Sequence, residues 1–256
     1  MSEVDGSYSE GTNAQEMSAA LGLSKNMTGQ LNYLMPSAWV LWDAIDIHVD
    51  ANNKYDADSK SAEEYKDLDK NGFWGIAVAD HNQEKIVLTK KYYGMGQYSR
   101  YIKPGYTLLG STPLSSKKLY STAAFDATSG DTVIVVTNLN GKAQNTEIDL
   151  SAIDFSTVDT QKYTGSFAQS TMEVIRTSGD LANGENWADV TSETTDSSTT
   201  VSTWNPSAGK ISTTLKANSI TTYVIHCKKV EKAPVVDTPA PSTTPSADIP
   251  AVSAKP

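Results

Sequence analysis

The chain has almost no cysteine. Cys227 is the only one among 256 residues, so no disulfide can close within the chain. Its β-forming neighbours mark it as a buried or strand-end thiol. Histidine is nearly as scarce: His48, His81 and His226 stand far apart, without cysteine partners at metal-ligand spacing, and no metal site is expected. Basic clusters are missing as well. The longest basic runs are the pairs Lys90-Lys91, Lys117-Lys118 and Lys228-Lys229, and the net charge is −9 with a pI near 4.8. Binding to nucleic acid needs clustered Lys and Arg, so that class of partner is excluded. No apolar run approaches about 18 residues, and no membrane span is expected. No basic-then-apolar start marks a signal peptide. The acidic balance suits a neutral ligand such as a glycan.

What is present divides by texture. At 256 residues the chain holds one large domain or two smaller ones. Its mean hydropathy is −0.39, and the polar excess lies in Ser, Thr and Asn, which suits a β-rich extracellular module. Residues Thr12 to Leu34 predict a helix. Thr12 with Gln15 fits a capping box, Met17, Leu21, Met27, Leu31 and Leu34 form one apolar stripe, and Pro36 closes it. The run Ala38-Trp39-Val40-Leu41-Trp42 predicts a buried strand. With Met1 to Gly6 as a further strand, strand, helix and strand follow in order, an α/β pattern that predicts parallel pairing. Residues His48 to Gly72 read as a surface excursion with a short helix over Ser61 to Leu68. Gly75 to Ala79 and Lys85 to Leu88 read as two strands around Asp80-His81-Asn82-Gln83, and Thr89 as the cap of a helix over Lys90 to Tyr101.

After Gly105 helix signals disappear. Seven alternating segments follow: Leu119 to Phe125, Thr132 to Leu139, Thr146 to Leu150, Ser166 to Arg176, Thr199 to Trp204, Lys210 to Leu215 and Ser219 to Cys227. Such spacing predicts an antiparallel β-sandwich. In the last segment Thr221, Tyr223 and Ile225 alternate against Ile220, Thr222 and Val224. Six of the ten prolines fall between Pro234 and Pro256, among Ser, Thr and Ala. That stretch cannot bury a core. It reads as a spacer toward further modules or a wall anchor, with a frayed tail as the plainer alternative.

Three segments resemble family 30 glycoside hydrolases, a retaining group that includes glucosylceramidases, xylanases and β-1,6-galactanases. Met1-Ser2-Glu3-Val4-Asp5-Gly6 is similar to the family's nucleophile strand, the seventh of its (β/α)8 barrel. Ser37-Ala38-Trp39-Val40-Leu41-Trp42-Asp43-Ala44 is similar to the eighth. The run from Thr89 through Tyr92-Tyr93-Gly94-Met95-Gly96-Gln97-Tyr98-Ser99-Arg100-Tyr101 to Pro104-Gly105 resembles the last helix and its exit into the side domain. The likeness covers about residues 1–227 and leans toward bacterial galactanase-like members. It implies α/β plus all-β architecture: residues 1–104 as the end of a barrel, 105–229 as a sandwich side domain, and 230–256 as a disordered linker.

The resemblance also implies roles. Glycosidic bonds are cleaved by two carboxyl groups. Glu3 matches the nucleophile, at the end of a barrel strand where active sites form; without the resemblance it reads as a solvated glutamate. Trp42 matches an aromatic that stacks on the sugar, with a core tryptophan as the alternative. Trp39, an odd number of residues away, belongs on the opposite face and in the core. Asp5, Asp43, Asp46 and His48 follow the two strands and reach sugar hydroxyls, or else are loop residues. Tyr92, Tyr93, Tyr98 and Tyr101 pack at the barrel–sandwich junction. The family's acid/base lies on the fourth strand, and no residue here matches it. Strands one to six have no counterpart, so the chain reads as a fragment, inactive alone, whose Met1 is an internal methionine. Part of the side domain in this family comes from the segment before the barrel, so the sandwich is expected to lack a strand. No cofactor is expected, the partner is a β-linked glycan, and the location is extracellular or wall-associated. The rival reading is a non-catalytic carbohydrate-binding or cell-surface sandwich module.

Overall fold

The structure, a computed structural model, describes residues 4, 16–49, 75–80, 84–111, 117–194 and 201–230. The capping box at Thr12 and Gln15, the helix over Ser61 to Leu68, the turn residues 81–83 and the stretch beyond Val230 lie outside the described residues.

Helix α1 spans Met17–Leu34, with Glu16 as its N-cap and Met35 as its C-cap in the left-handed region (φ 45°). Pro36 follows, since it cannot continue a helix. The stripe Met17, Ala20, Leu21, Ser24, Met27, Thr28 and Leu31 is buried, at the spacing that keeps side chains on one face. Helix α2 spans Lys90–Ser99. Thr89 precedes it, but its hydroxyl donates to the Ile76 carbonyl at 2.7 Å and does not cap the helix. The two helices cross closely at Gly94, where a Cβ would lie 3.0 Å from that of Ala20.

The first strands are parallel, as the α/β pattern predicts. Val4 pairs in parallel with Leu41; Val4 N–H donates to Val40 O (3.0 Å) and Trp42 N–H to Val4 O (2.7 Å). Among the described residues the apolar run 38–42 contributes this bridge. The regular strand comes later, as β1 (Ile45–Val49), parallel to β2 (Ala77–Asp80), which pairs antiparallel with β3 (Lys85–Leu88). Strand β1 follows the predicted strand 38–42 and was not foreseen, since it ends on residues read as the start of a surface excursion.

The rest is β-structure. A six-stranded sheet runs in the order β4 (Thr107–Leu109), β5 (Leu119–Phe125), β6 (Thr132–Asn138), β12 (Ser219–His226), β8 (Thr171–Ser178), β9 (Glu185–Asp189). All its pairs are antiparallel. A second sheet orders β10 (Ser202–Asn205), β11 (Lys210–Leu215) and β7 (Gln144–Asp149). Strands β4 and β9 were not foreseen. The predicted segment from Ser166 becomes a strand only at Thr171, because Phe167 and Ser170 close a turn (3.0 Å).

The large sheet is covered on both faces. Val133, Val135, Ile220 and Val224 pack under α1 and α2 with Leu23, Met27 and Tyr98. Ile134, Val136, Tyr223 and Ile225 face the second sheet, against Ile211, Leu215 and Leu150. Period-two alternation delivers both sets, and every residue of β6 is buried. The helix layer is also pinned by polar contacts. Tyr98 Oη lies 2.6 Å from Ser24 Oγ and 2.7 Å from Thr28 Oγ1. The Gln97 carboxamide sits between the hydroxyls of Thr177 and Thr222.

Candidate functional site

The pairing of Val4 with Leu41 brings together the two segments to which sequence reasoning assigned a site. Val4 is buried, and it stands between Glu3 and Asp5 in the sequence. Glu3 and Asp5 themselves lie outside the described residues. Trp42 is the residue hydrogen-bonded to the Val4 carbonyl, and its side chain is 52% exposed. The Trp42–Asp43 peptide bond is cis. Asp43 and Ala44 accept backbone bonds from Ile76 (3.2 Å) and Ala77 (3.0 Å), which carries the sheet on into β1. His48 pairs through its backbone with Ala79; its side chain, like that of Asp46, lies outside what is described. Trp39 is half-buried on the helix-side core and faces Gln30, as the alternation predicts.

The Tyr-rich helix α2 packs against β9. Tyr92 and Tyr93 meet Trp187 of β9 at ring distances of 5.1 and 4.9 Å. Trp187 donates to Tyr93 O (2.7 Å), and Arg100 lies over its ring at 4.2 Å. Trp187 has φ +55°, rare for a bulky side chain. It sits beside a register shift between β8 and β9, a place where bulges re-aim side chains. Gly96 gives it room, since a Cβ there would stand 2.0 Å from the indole.

Sequence reasoning missed the buried charges, two of which, Arg176 and Lys90, hold the β8–β9 edge. Arg176 is held by Glu185 and Glu193, each through two bonds of 2.6–2.7 Å. Burial pushes the Glu185 carboxyl up, but hydrogen bonds from Arg176 and Ser178 and the charges of Arg176 and Lys216 outweigh it and hold it at about 2. The second is Lys90, fully buried under the β8–β9 loop. Burial pulls its ammonium down to about 8, against Asp180 and Glu185, whose charges pull it up. No local pattern could reveal either, because each meaning depends on partners brought together by the fold.

Cys227 is buried, with its thiol donating toward Gly130 O (3.2 Å) and Ser166 O (3.4 Å), and burial pushes it up to about 11. It is an unreactive structural thiol. Among the described residues no cluster of His, Cys, Asp and Glu could hold a metal ion, and no helix is long and apolar enough to cross a membrane.

One groove of about 660 Å³ opens between the sheets. Leu109, Leu119, Ala123, Ile134 and Val136 form its floor; Ile148, Leu150 and Ile153 form its wall. It lies between β7, an edge strand of the smaller sheet, and β4, β5 and β6 of the larger one.

No protein family matches the sequence, and neither does any curated protein. Solved structures do match the fold. A glycoside hydrolase family 30 subfamily 8 xylanase from Clostridium acetobutylicum aligns with a TM-score of 0.52 and 19% identity, over 88% of this chain and 42% of its own. A family 30 endoxylanase from Clostridium papyrosolvens gives 0.50 and 17%, over 88% and 41%. The catalytic domain of a family 30 xylanase C from Talaromyces cellulolyticus gives 0.53 and 15%, over 88% and 40%. The fold is therefore one found in glycoside hydrolases of this kind, and the chain spans about two-fifths of their length.

Proposed function

We propose that this chain is the C-terminal part of a retaining glycoside hydrolase that cleaves β-linked glycans. The observation that carries the proposal is the parallel pairing of Val4 with Leu41. It sets Val4, which Glu3 and Asp5 flank in the sequence, beside the segment bearing Trp42 and Asp43, and this supports the reading. The fold shared with family 30 xylanases over two-fifths of their length supports it. In this reading the apolar groove beside β7 is where a strand from the segment before the barrel would pack.

In this reading one Glu3 oxygen attacks the anomeric carbon, and the bond to the leaving oxygen breaks as that oxygen takes a proton from the acid/base. The acid/base belongs to the part of the enzyme not represented here. It then removes a proton from water, which attacks the same carbon and releases Glu3 as carboxylate. Trp42 supplies a stacking face, and Asp5, Asp43 and His48 supply hydrogen bonds to hydroxyls. A galactanase-like substrate is the finer proposal. The protein works outside the cell or at its wall, with 230–256 as a spacer.

The chain alone then lacks half of the carboxyl pair. Purified protein assayed on xylan, β-1,6-galactan and aryl β-glycosides is expected to show no turnover. Turnover that disappears in Glu3→Gln would refute the two-part reading. Retention of the 256-residue chain on an insoluble glycan, unaffected by Trp42→Ala and Glu3→Gln, would favour a carbohydrate-binding module instead.

A further inference from the structure

The β8–β9 connection converges on a single buried cation. Lys90 Nζ lies 3.0 Å from Ser178 O, 3.2 Å from Asp180 O, 2.8 Å from Glu185 O and 2.6 Å from Asn186 Oδ1. An ammonium has three protons to donate, so four oxygens surround a group that can satisfy three at once. The arrangement is a coordination shell more than a set of matched pairs.

The loop that supplies the oxygens is held by its own bonds. Gly184 N–H donates to Asp180 O (2.9 Å), Asn183 N–H to Asp180 Oδ1 (2.7 Å), and Asn186 Nδ2 to Leu181 O (2.9 Å), which turns Asn186 Oδ1 toward Lys90. Glycine at 184 lets the carbonyls converge, since a Cβ would meet Ser178 O at 2.2 Å and Asp180 O at 2.4 Å. None of these contacts uses Lys90. The Glu185 carboxylate is committed to Arg176, so the shell presents carbonyl and amide oxygens. Without a carboxylate among its oxygens the shell does not suit calcium or magnesium, whose sites are built on Asp and Glu. Carbonyl oxygens are the ligands that replace the hydration shell of a potassium-sized ion.

We propose that the loop over residues 178–186 is a binding site for a large monovalent cation whose resident occupant is the tethered Lys90 ammonium. Shortening Lys90 opens it to free ammonium, potassium or a small alkylammonium ion. The cation, tethered or free, fastens the β8–β9 hairpin to the first turn of α2. This inference is independent of the glycosidase proposal.

The test compares wild type, Lys90→Ala and Lys90→Met by thermal unfolding in choline chloride, with ammonium, potassium or methylammonium exchanged in at constant ionic strength. Lys90→Ala is expected to melt lower than wild type and to recover saturably as one of these ions is added, while magnesium does not restore it. Wild type, whose site is filled by its own ammonium, and Lys90→Met, whose apolar chain blocks it, should not respond. A Lys90→Ala protein as stable as wild type in choline, or one that responds to the ions no more than Lys90→Met, overturns the proposal. If neither variant folds, nitrogen-15 spectra of wild-type lysine side chains decide. Protected ammonium protons at Lys90 support the site, and protons exchanging as fast as those of free lysine overturn it.

Discussion

The six-stranded sheet and the small β1–β2–β3 sheet meet their surroundings in opposite ways. The large sheet has helices on one face and a second sheet on the other, and β6 and β12 are buried almost throughout. Among the described side chains of the small sheet Ala77 is buried, but three large apolar residues stand in water. Its register sets Ile45 beside Ala77 and Leu88, and Ile86 beside Ala79, and Ile45, Ile86 and Leu88 are all exposed, Ile86 by 53%. The same aliphatic residue types thus serve as core in one region and as uncovered surface in the other. The large sheet owns its core. The small one presents apolar surface at Ile45, Ile86 and Leu88.

Hydrogen exchange should show this contrast most strongly. Amides of Val133, Val135 and Tyr223 are expected to open only with global unfolding, and those of Ala79 and Val87 at least roughly 100-fold faster, since sparsely covered strands open locally. Equal protection in both sheets would break the comparison. Within the large sheet, Arg176→Met leaves Glu185 and Glu193 without their shared cation. A loss of about 3 kcal/mol is expected in urea unfolding; a change below about 1 kcal/mol would mean that solvent already screens the triad.

Helix packing can be separated from helix propensity with one substitution made twice. Gly96→Ala drives a methyl into Trp187 and should cost about 2 kcal/mol. Gly29→Ala, with nothing near its added methyl, should stabilise by about 0.5–1 kcal/mol. The same sign at both positions would contradict the placement of Trp187 over α2. The smallest effect concerns pH. His226 lies 3.4 Å from Asp131 and 3.5 Å from Glu173. The hydrogen bond to Asp131 raises its pKa above the usual histidine value, and burial opposes the rise. A raised folded value means the histidinium stabilises the fold fully below about pH 6.5, and that contribution fades as pH rises through the folded value. The group is half exposed, so the effect is modest. A stability profile from pH 5 to 9 should lose this fall in His226→Gln, and an unchanged profile would remove His226 as its source.

The sandwich was legible in the sequence where residues obey one simple rule. Strands β5 and β11 begin and end where alternation placed them, and β6 and β12 do so within one residue, because β-branched runs bounded by Gly, Asp and Asn have one good pleated arrangement. Strand β4 is three residues long, and β9 breaks alternation at Trp187, so neither carried a signal. Strand β1 was not legible, because it is fixed by its partner β2 about 30 positions on. The parallel pairing of the two candidate-site segments followed from strand–helix–strand order. Lys90 could not be recognised: in sequence it is half of a lysine pair at a helix start, and its four oxygens lie 88 to 96 residues away.

The central claim is that the segment around Val4 carries a nucleophile completed by a part not represented here. The direct measurement joins this chain to its upstream coding sequence, or to the complementary part of a family 30 xylanase, and exposes the purified protein to a 2-fluoro glycoside that stalls at the glycosyl ester. Peptide mapping by mass spectrometry is then expected to find one sugar on Glu3, absent from the Glu3→Gln protein, which has also lost turnover. A catalytically active assembly with no adduct on Glu3, or a Glu3→Gln protein that turns over near the wild-type rate, would contradict the account.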